Sequence, residues 1–261
     1  MTGQQMVVWD FDGTLGHRRH GTWAECLLEI LDRQQPGHPF TRGQLFAALA
    51  TGFPWHDHQR PHPHLANSDS WWNHIAVVVT QALVALGAPL RPAESIAHET
   101  RTAYSDPAAW SLYPQTTEVL QLLTDKGWGH VILSNHVPEL PTILDDLHLT
   151  PHVHAVVNSA RTGYEKPHPQ AFALARAAAE PARCIYMVGD NARADVAGAR
   201  AAGLDAIWVR RDEPGHIPDL HAAARLILCS TVESNSRSTL PRTWEVGPLG
   251  ARAITRTTPI G

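Results

Sequence analysis

Two aspartates one residue apart, Asp10 and Asp12, follow a short apolar run near the N-terminus. An uninterrupted apolar run such as Val7-Val8-Trp9 is typical of a buried parallel strand, because helices cover both faces of such a strand. Open α/β sheets bind ligands at the carboxyl ends of their strands, and Gly13 allows a sharp turn there. Two carboxylates at that position need a positive partner such as a metal ion. A strand followed by an Asp-Gly hairpin turn is the alternative interpretation.

Three further polar residues come after apolar runs in the second half of the chain. Ser134 and Asp190 each end such a run, and Lys166 lies in a loop after a third. Taken alone, each has an ordinary alternative: a serine after a strand often caps a helix, a loop lysine is often solvated, and Gly-Asp-Asn is typical of a turn. In a parallel sheet the carboxyl ends of the strands lie at one edge, so we expect these side chains to meet Asp10 and Asp12 there.

Composition limits the class of protein. The chain has 261 residues, of which 43% are hydrophobic and 18% charged, with a formal net charge of −4. A chain with this charge has no overall positive potential that would attract nucleic acid or an anionic membrane. A phosphate-bearing ligand must therefore be held by a local site. No apolar stretch is long enough to span a membrane, and the N-terminal run lacks the basic flank of a signal peptide. Three widely spaced cysteines indicate neither a disulfide framework nor a zinc site, so we expect a reducing cytoplasm.

The first half of the chain predicts a helical insertion over residues 17–107. Capping boxes at Thr22-Trp23-Ala24-Glu25 and Thr41-Arg42-Gly43-Gln44 indicate two helix starts, because hydroxyl and carboxylate or amide groups there satisfy free N–H groups. A long apolar helix begins near Ser70, and Pro92 opens a fourth helix. We expect the proline- and histidine-rich stretch between the second and third helices to be irregular.

The second half alternates apolar runs with helical patterns, which indicates an α/β fold with a parallel sheet and right-handed crossovers. From about Ser234 the periodicity ends, so residues 234–261 are expected to be a disordered or loosely docked tail. The strands predicted after the insertion lie at about 130–135, 155–157, 184–190, 206–209 and 226–228.

These features resemble the haloacid dehalogenase superfamily of hydrolases. The resemblance implies a Rossmann-like core made by residues 1–16 and 108–233, with helices on both faces of the parallel sheet. The insertion at 17–107 would then be an all-helical cap domain. The matching motifs are DFDGTL at 10–15, LSN at 133–135, S-x-x-x-G-x-x-K-P at 159–167 and GDNARAD at 189–195.

The resemblance also implies catalytic roles. Asp10 would be the nucleophile that attacks phosphorus and forms an aspartyl phosphate. Asp12 would protonate the leaving alcohol and then activate the hydrolytic water. Ser134 would donate a hydrogen bond to a phosphoryl oxygen, and Lys166 would compensate charge there. Asn135 is expected to join Ser134 and Lys166 in binding the substrate.

A Mg²⁺ ion is the cofactor that the resemblance implies. Its ligands would be the Asp10 carboxylate, the backbone carbonyl of Asp12 and the Asp190 carboxylate, since few carboxylates and oxygen-only ligands suit this ion. The ion would offset the repulsion between a carboxylate nucleophile and a phosphate. Asp195 is expected to orient the metal ligands or Lys166 rather than bind the metal, although an acid favoured by the helix dipole is the alternative.

The predicted activity is Mg²⁺-dependent hydrolysis of a small phosphorylated metabolite, with no nucleic-acid or membrane partner and an unspecified oligomeric state. Aspartates at both Asp12 and Asp190 favour phosphoryl transfer over dehalogenation, because dehalogenases of the family typically lack an aspartate at the position of Asp12. The absence of lysine from 17–107 argues against a Schiff-base phosphonate hydrolase. A phosphomutase acting on a sugar phosphate and, less favoured, a non-catalytic binding protein stay open.

Histidines crowd the insertion, in a chain with 17 histidines in all. We expect some of them, with Trp55, Trp71 or Trp72, to line the substrate pocket or pack the cap. A structural metal site is the alternative, because imidazole suits transition metals. The histidines concerned are His56, His58, His62, His64 and His74.

Overall fold

A computed structural model of the protein describes residues 5–210, 217 and 219–236. The tail predicted for 234–261 lies outside the described residues from 237 onward. Its first three residues, 234–236, lie at the end of the last helix.

A five-stranded parallel sheet forms the centre of the fold, which confirms the predicted α/β class. Its strand order is β5-β4-β1-β6-β7, with bounds given below. Trp9 pairs with Ile132 on one side and Val188 on the other, so β1 is the middle strand. In chain order the strands are β1 (Gln5–Trp9), β2 (Gly16–Arg18), β3 (Trp110–Leu112), β4 (Trp128–Ser134), β5 (Ala155–Asn158), β6 (Arg183–Gly189) and β7 (Asp205–Trp208).

Helices cover both faces of this sheet, as predicted. Alternate residues of β1 point to opposite faces. Val7 and Trp9 belong to one apolar core with α5 (Thr116–Thr124) and α10 (Leu220–Ser236), whereas Met6 and Val8 belong to a second core with α8 (Pro169–Ala179) and α9 (Gly198–Ala201). The helices are α1 (Trp23–Gln34), α2 (Arg42–Ala48), α3 (Ser68–Ala85), α4 (Leu90–Ser105), α5 (Thr116–Thr124), α6 (Leu140–Asp146), α7 (Ser159–Thr162), α8 (Pro169–Ala179), α9 (Gly198–Ala201) and α10 (Leu220–Ser236).

One predicted strand is wrong. Residues 226–228 lie inside α10 and not in the sheet. The buried positions Leu220, Ala223, Ala224 and Ile227 recur at three- and four-residue spacing, which is the period of a helix packed on one face. Three apolar residues are too few to distinguish a strand from part of a helix.

A short antiparallel ribbon at the base of the helical insertion was not predicted. Gly16 of β2 pairs with Leu112 of β3, and Arg18 pairs with Trp110. The ribbon holds together the two chain segments that lead to and from helices α1–α4. Each strand has three residues, too short for the alternation of polar and apolar residues to be visible in the sequence.

The helical insertion docks over the carboxyl ends of the sheet strands. Glu139, just before α6, accepts a hydrogen bond from Trp72 Nε1 at 2.9 Å and another from Ser68 Oγ at 2.7 Å. His62 Nδ1 lies 3.1 Å from Glu165 Oε2. The proline- and histidine-rich stretch between α2 and α3 contains two single turns of 3-10 helix.

Among the described helices, none has the length and apolarity needed to cross a membrane.

Candidate active site

The side chains predicted to meet at the sheet edge lie together in the structure. Lys166 Nζ is 2.7 Å from Asp10 Oδ1, and Ser134 Oγ donates to the same oxygen at 2.9 Å. The predicted catalytic, substrate-binding and metal-binding residues border one cavity of about 550 Å³, and they are Asp10, Asp12, Ser134, Asn135, Lys166 and Asp190.

The loop after β1 turns sharply and directs Asp10 and Asp12 into the cavity. The Asp10 N–H extends the sheet by donating to the Val188 carbonyl at 2.9 Å. Gly13 has φ +86°, and a Cβ at this residue would lie 2.5 Å from Asp190 Oδ2, so only glycine fits beneath that carboxylate. The hairpin alternative is excluded, because β2 pairs with β3 and not with β1.

Ser134 and Asn135 occupy the end of β4 and the residue after it. Ser134 is 1% exposed and contacts Asp10, so the helix-cap alternative for it is wrong. The side-chain amide of Asn135 makes two hydrogen bonds with the Lys166 backbone. Its Nδ2 donates to the Lys166 carbonyl at 2.9 Å, and its Oδ1 accepts from the Lys166 N–H at 2.7 Å. Asn135 therefore positions Lys166, in addition to bordering the cavity.

Lys166 is buried among carboxylates, which excludes the solvated-loop alternative. Its side chain is 2% exposed, and its Nζ lies 2.7 Å from both Asp10 Oδ1 and Asp195 Oδ1. Burial alone lowers the pKa of an ammonium group, but the negative charges of Asp10 and Asp195 outweigh burial and raise the pKa of Lys166. Lys166 therefore stays protonated as a fixed positive charge beside Asp10.

Asp195 lies in a π-helical turn, Ala192–Ala197, directly after β6 and the Asp190 loop. It is 1% exposed; its Oδ2 accepts from the Asn191 N–H at 3.0 Å, and its Oδ1 faces Lys166. A side chain at Gly189 would collide with it. The contact with Lys166 matches the expected positioning role better than a general dipole effect.

The Asp12 carboxyl has a pKa suited to proton transfer. Burial in the cavity, followed by the negative charges of Asp10 and Asp190, raises the pKa of Asp12 to about 7. A carboxyl with such a pKa can hold a proton near neutral pH and release it to a leaving group.

The carboxylates at the bottom of the cavity fit a hard divalent cation. One oxygen from each of Asp10, Asp190 and Asp195 lies within 4.8 Å of the others. Oxygen-only donors of this kind suit Mg²⁺. Both oxygens of Asp195 are engaged, Oδ1 by Lys166 and Oδ2 by the Asn191 N–H, whereas Lys166 and Ser134 both contact Oδ1 of Asp10.

The histidine-rich stretch contributes little to the cavity. His58 and Trp55 border it, whereas Trp71 and Trp72 are 1% and 4% exposed and pack the insertion. His62 contacts Glu165 instead. Within the part of the chain that the structure describes, no histidine cluster is arranged to bind a metal ion, which leaves the alternative of a structural metal there without support.

Several residues that border the cavity were not predicted. His136 follows the LSN motif, yet no pattern marked it; it is 4% exposed and packs against the rings of Phe11 and Trp110. Burial lowers the pKa of His136 to about 4, so the imidazole is neutral at physiological pH. The other residues are of two kinds. Four come from the insertion, and their direction depends on how it docks: Thr22, Trp23, Phe46 and Tyr104. Five come from the core, within or next to the motifs: Val137, Pro167, Asn191, Arg193 and Ala194.

Comparisons with known proteins agree with the motifs. A family model described as haloacid dehalogenase-like hydrolase matches residues 5–203. The phosphoserine phosphatase of Thermus thermophilus is 37% identical over 117 residues, which are 42% of this chain. The match spans 47% of that phosphatase, about half its length.

Two further similarities cover more of the chain. Haloacid dehalogenase-like hydrolase domain-containing protein 3 of Xenopus laevis is 25% identical over 226 residues, 83% of this chain and 90% of that protein. The solved structure of the HAD-hydrolase YfnB from Bacillus subtilis, bound to magnesium, is similar with a TM-score of 0.64 at 18% identity. That similarity covers 87% of this chain and 100% of the solved chain, and it shows a shared fold.

Proposed function

Because the chain belongs to the haloacid dehalogenase-like hydrolases, we propose that it is a Mg²⁺-dependent phosphatase that hydrolyses phosphate monoesters of small metabolites. The observation that carries this proposal is the Asp10 carboxylate, held by Ser134 and Lys166 two residues from a carboxyl that can carry a proton. The relative named phosphoserine phosphatase supports the reaction class.

Asp10 is the nucleophile in this mechanism. Ser134 and Lys166 hold its Oδ1, and the Thr14 hydroxyl lies 3.4 Å from its Oδ2, so the carboxylate has a fixed orientation. Its attack on phosphorus forms an aspartyl phosphate and breaks the bond to the alcohol oxygen. When the phosphate is bound, the single Ser134 hydroxyl proton turns from Asp10 to a phosphoryl oxygen, and Lys166, which has three N–H groups, donates to a phosphoryl oxygen while it keeps Asp10.

Asp12 handles the proton in both half-reactions. Burial raises the pKa of its carboxyl, which favours the protonated form that can protonate the alcohol as the alcohol departs. The resulting carboxylate then accepts a proton from the water that attacks the aspartyl phosphate. This acid is the reason to favour phosphate esters over carbon–halogen bonds, whose halide product needs no proton.

Mg²⁺ is the proposed cofactor, and the carboxylates of Asp10 and Asp190 with the Asp12 carbonyl are its proposed ligands. When bound, the ion supplies positive charge that offsets the repulsion between the Asp10 carboxylate and the phosphate. Gly13 supports this arrangement by leaving room for the Asp190 carboxylate against the backbone. Asp195 holds Lys166 in place.

We also propose that residues 17–107 act as a cap over a core of 1–16 and 108–233. Caps exclude water from the reaction and select the substrate. Contacts between the insertion and the segments that follow β4 and β5, Trp72 with Glu139 and His62 with Glu165, support this proposal. A reducing cytoplasm is the proposed compartment, since Cys26, Cys184 and Cys229 are all free.

Phosphate release with Mg²⁺ from acetyl phosphate and a panel of phosphate esters tests the proposal. Asp10→Asn is expected to lower kcat at least about a thousandfold, because the nucleophile is lost. Asp32→Asn is the matched control, since Asp32 has a 73% exposed side chain outside the cavity lining. Equal rates for wild type and Asp10→Asn would overturn the assignment, and isomerised sugar phosphate without phosphate release would indicate a mutase.

A further inference from the structure

The cavity has two chemically different ends. Carboxylates and Lys166 border the end formed by the core, where the proposed phosphatase reaction takes place. The whole cavity has a volume of about 550 Å³, which is typical of small-molecule sites. A phosphoryl group is much smaller than this and fills only one end. The end formed by the helical insertion is bordered by four aromatic side chains, those of Trp23, Phe46, Trp55 and Tyr104.

We propose that the alcohol part of the substrate carries an uncharged aromatic ring that packs against Trp23, Phe46 and Trp55. This inference rests on the proposed phosphatase function and names the class of ester it uses. It predicts substrates unlike phosphoserine, which carries an ammonium and a carboxylate beside its phosphate.

Aromatic ring surface is exposed at the border of the cavity. Phe46, on α2, is 63% exposed, whereas Phe11, Phe53 and Phe172 are at most 3% exposed. Trp23 and Trp55 are each partly exposed as well. Apolar ring surface left in water is unfavourable, and a ligand ring that covers it recovers hydrophobic free energy.

The rings of Trp23 and Trp55 are held in place from behind. Trp23 stacks on the buried Tyr104, with centroids 3.9 Å apart and planes at 13°. Trp55 stacks on the buried Phe53 at 4.6 Å and 19°. Rings fixed in this way lose little conformational entropy when a ligand binds, which favours affinity for a flat apolar group.

The end of the cavity formed by the insertion carries little charge. Among the described residues of the insertion that border the cavity, none is an acid, a lysine or an arginine, and His58 is the one histidine. Burial and the nearby Arg193 lower the pKa of His58. Arg193, from the core, borders the cavity here and donates to His58 Nε2 at 2.7 Å. Among the residues that border this end of the cavity, Arg193 is thus the one charged side chain that a carboxylate or ammonium on the substrate would meet; Arg42 lies outside the lining, 5.9 Å from the centre of the Phe46 ring.

His136 adds a neutral polar group between the two ends. It borders the cavity, and neither of its ring nitrogens makes a hydrogen bond of normal geometry within the described structure, although the Val137 backbone is close enough to influence the ring. A buried polar group of this kind is costly without a partner. An uncharged polar atom of the substrate, between its phosphate and its ring, can supply one.

The test compares two alkyl esters with similar leaving groups, 2-phenylethyl phosphate and n-propyl phosphate, with phosphoserine as a charged substrate. With Mg²⁺ present, kcat/KM for the phenyl ester is expected to exceed that for the propyl ester at least about tenfold. Phe46→Ala and Trp55→Ala are each expected to reduce this ratio about threefold to tenfold. The matched control is Leu90→Ala, which removes a side chain 57% exposed outside the cavity lining and leaves the ratio unchanged.

A binding measurement separates this inference from the proposed function. Calorimetry with 2-phenylethylphosphonate and n-propylphosphonate, which cannot be hydrolysed, is expected to show tighter binding of the phenyl compound. Equal affinities, or kcat/KM highest for phosphoserine, would overturn the aromatic assignment and leave the phosphatase proposal intact. Preferential binding of the phenyl compound without hydrolysis of any ester would support the aromatic site and overturn the phosphatase. Phe46→Ala changes an exposed residue, so its outcome does not depend on a repacked core.

Discussion

Lys166 Nζ lies 2.7 Å from Asp10 Oδ1, although 156 residues separate the two in the chain. The same nitrogen lies 2.7 Å from Asp195 Oδ1, so one buried ammonium group joins two buried carboxylates. The arrangement keeps Lys166 charged and directed at the oxygen that Ser134 also contacts. We therefore propose that Asp195 acts on the reaction through Lys166, as a positioning residue.

Lys166→Met is expected to lower kcat/KM by at least about a hundredfold, because the charge that stabilises the phosphoryl oxygens is lost. Asp195→Asn is expected to cost about tenfold, since Lys166 keeps Asp10 as a partner but loses its second anchor. Steady-state phosphate release measures both. Lys126→Met is the control, because Lys126 is the other lysine of the chain and is exposed. Full activity of Lys166→Met would contradict the assignment.

Gly13→Ala is expected to weaken Mg²⁺ activation at least about tenfold. The added Cβ would lie 2.5 Å from Asp190 Oδ2, and the φ of +86° is unfavourable for alanine, so Asp190 or the loop must move. Activity measured against Mg²⁺ concentration reports this change, and calorimetry of Mg²⁺ binding reports it without turnover.

Gly43→Ala is the matched control, because Gly43 lies in α2 and its Cβ would meet nothing within 4 Å. Alanine there is expected to raise the free energy of unfolding by about 0.5–1 kcal/mol and to leave Mg²⁺ activation unchanged. An unaltered Mg²⁺ response in Gly13→Ala would show that Asp190 does not bind the ion.

His130 is expected to make the protein less stable as the pH falls below about 6.5. Its Nδ1 accepts from Trp9 Nε1 at 3.0 Å and its Nε2 lies 3.0 Å from the Leu120 carbonyl, a pattern that fits the neutral ring. Burial lowers the pKa of His130 from 6.5 to about 4. Between these values the unfolded chain binds a proton that the folded protein does not, so the free energy of unfolding falls by at most about 1.4 kcal/mol per pH unit.

Chemical denaturation between pH 7.5 and 5 measures this effect. His130→Gln removes the titrating group, so the dependence of the unfolding free energy on pH is expected to become shallower than in wild type. His154→Gln, at an exposed position, is expected to keep the wild-type dependence. Identical curves for wild type and His130→Gln would rule out His130 as a source of acid sensitivity.

The sequence alone determined the parts of the protein that depend on local patterns and on parallel topology. The apolar run before Asp10 identified a buried strand, and strands alternating with helices indicated a parallel sheet. A parallel sheet places the ends of its strands at one edge. Ser134, Lys166 and Asp190 could therefore be predicted to lie near Asp10 before any distance was known.

Only the tertiary structure decided what depends on contacts between distant segments. The ribbon between Gly16 and Leu112 exists because three-residue strands pair across the whole insertion, and residues 226–228 are helical because α10 packs one face on the core. The aromatic side chains of the insertion that border the cavity, such as Phe46, depend on how the insertion docks. The neutral state of His136 depends on its burial. Burial and docking arise from long-range packing, which periodicity and spacing along the chain do not encode.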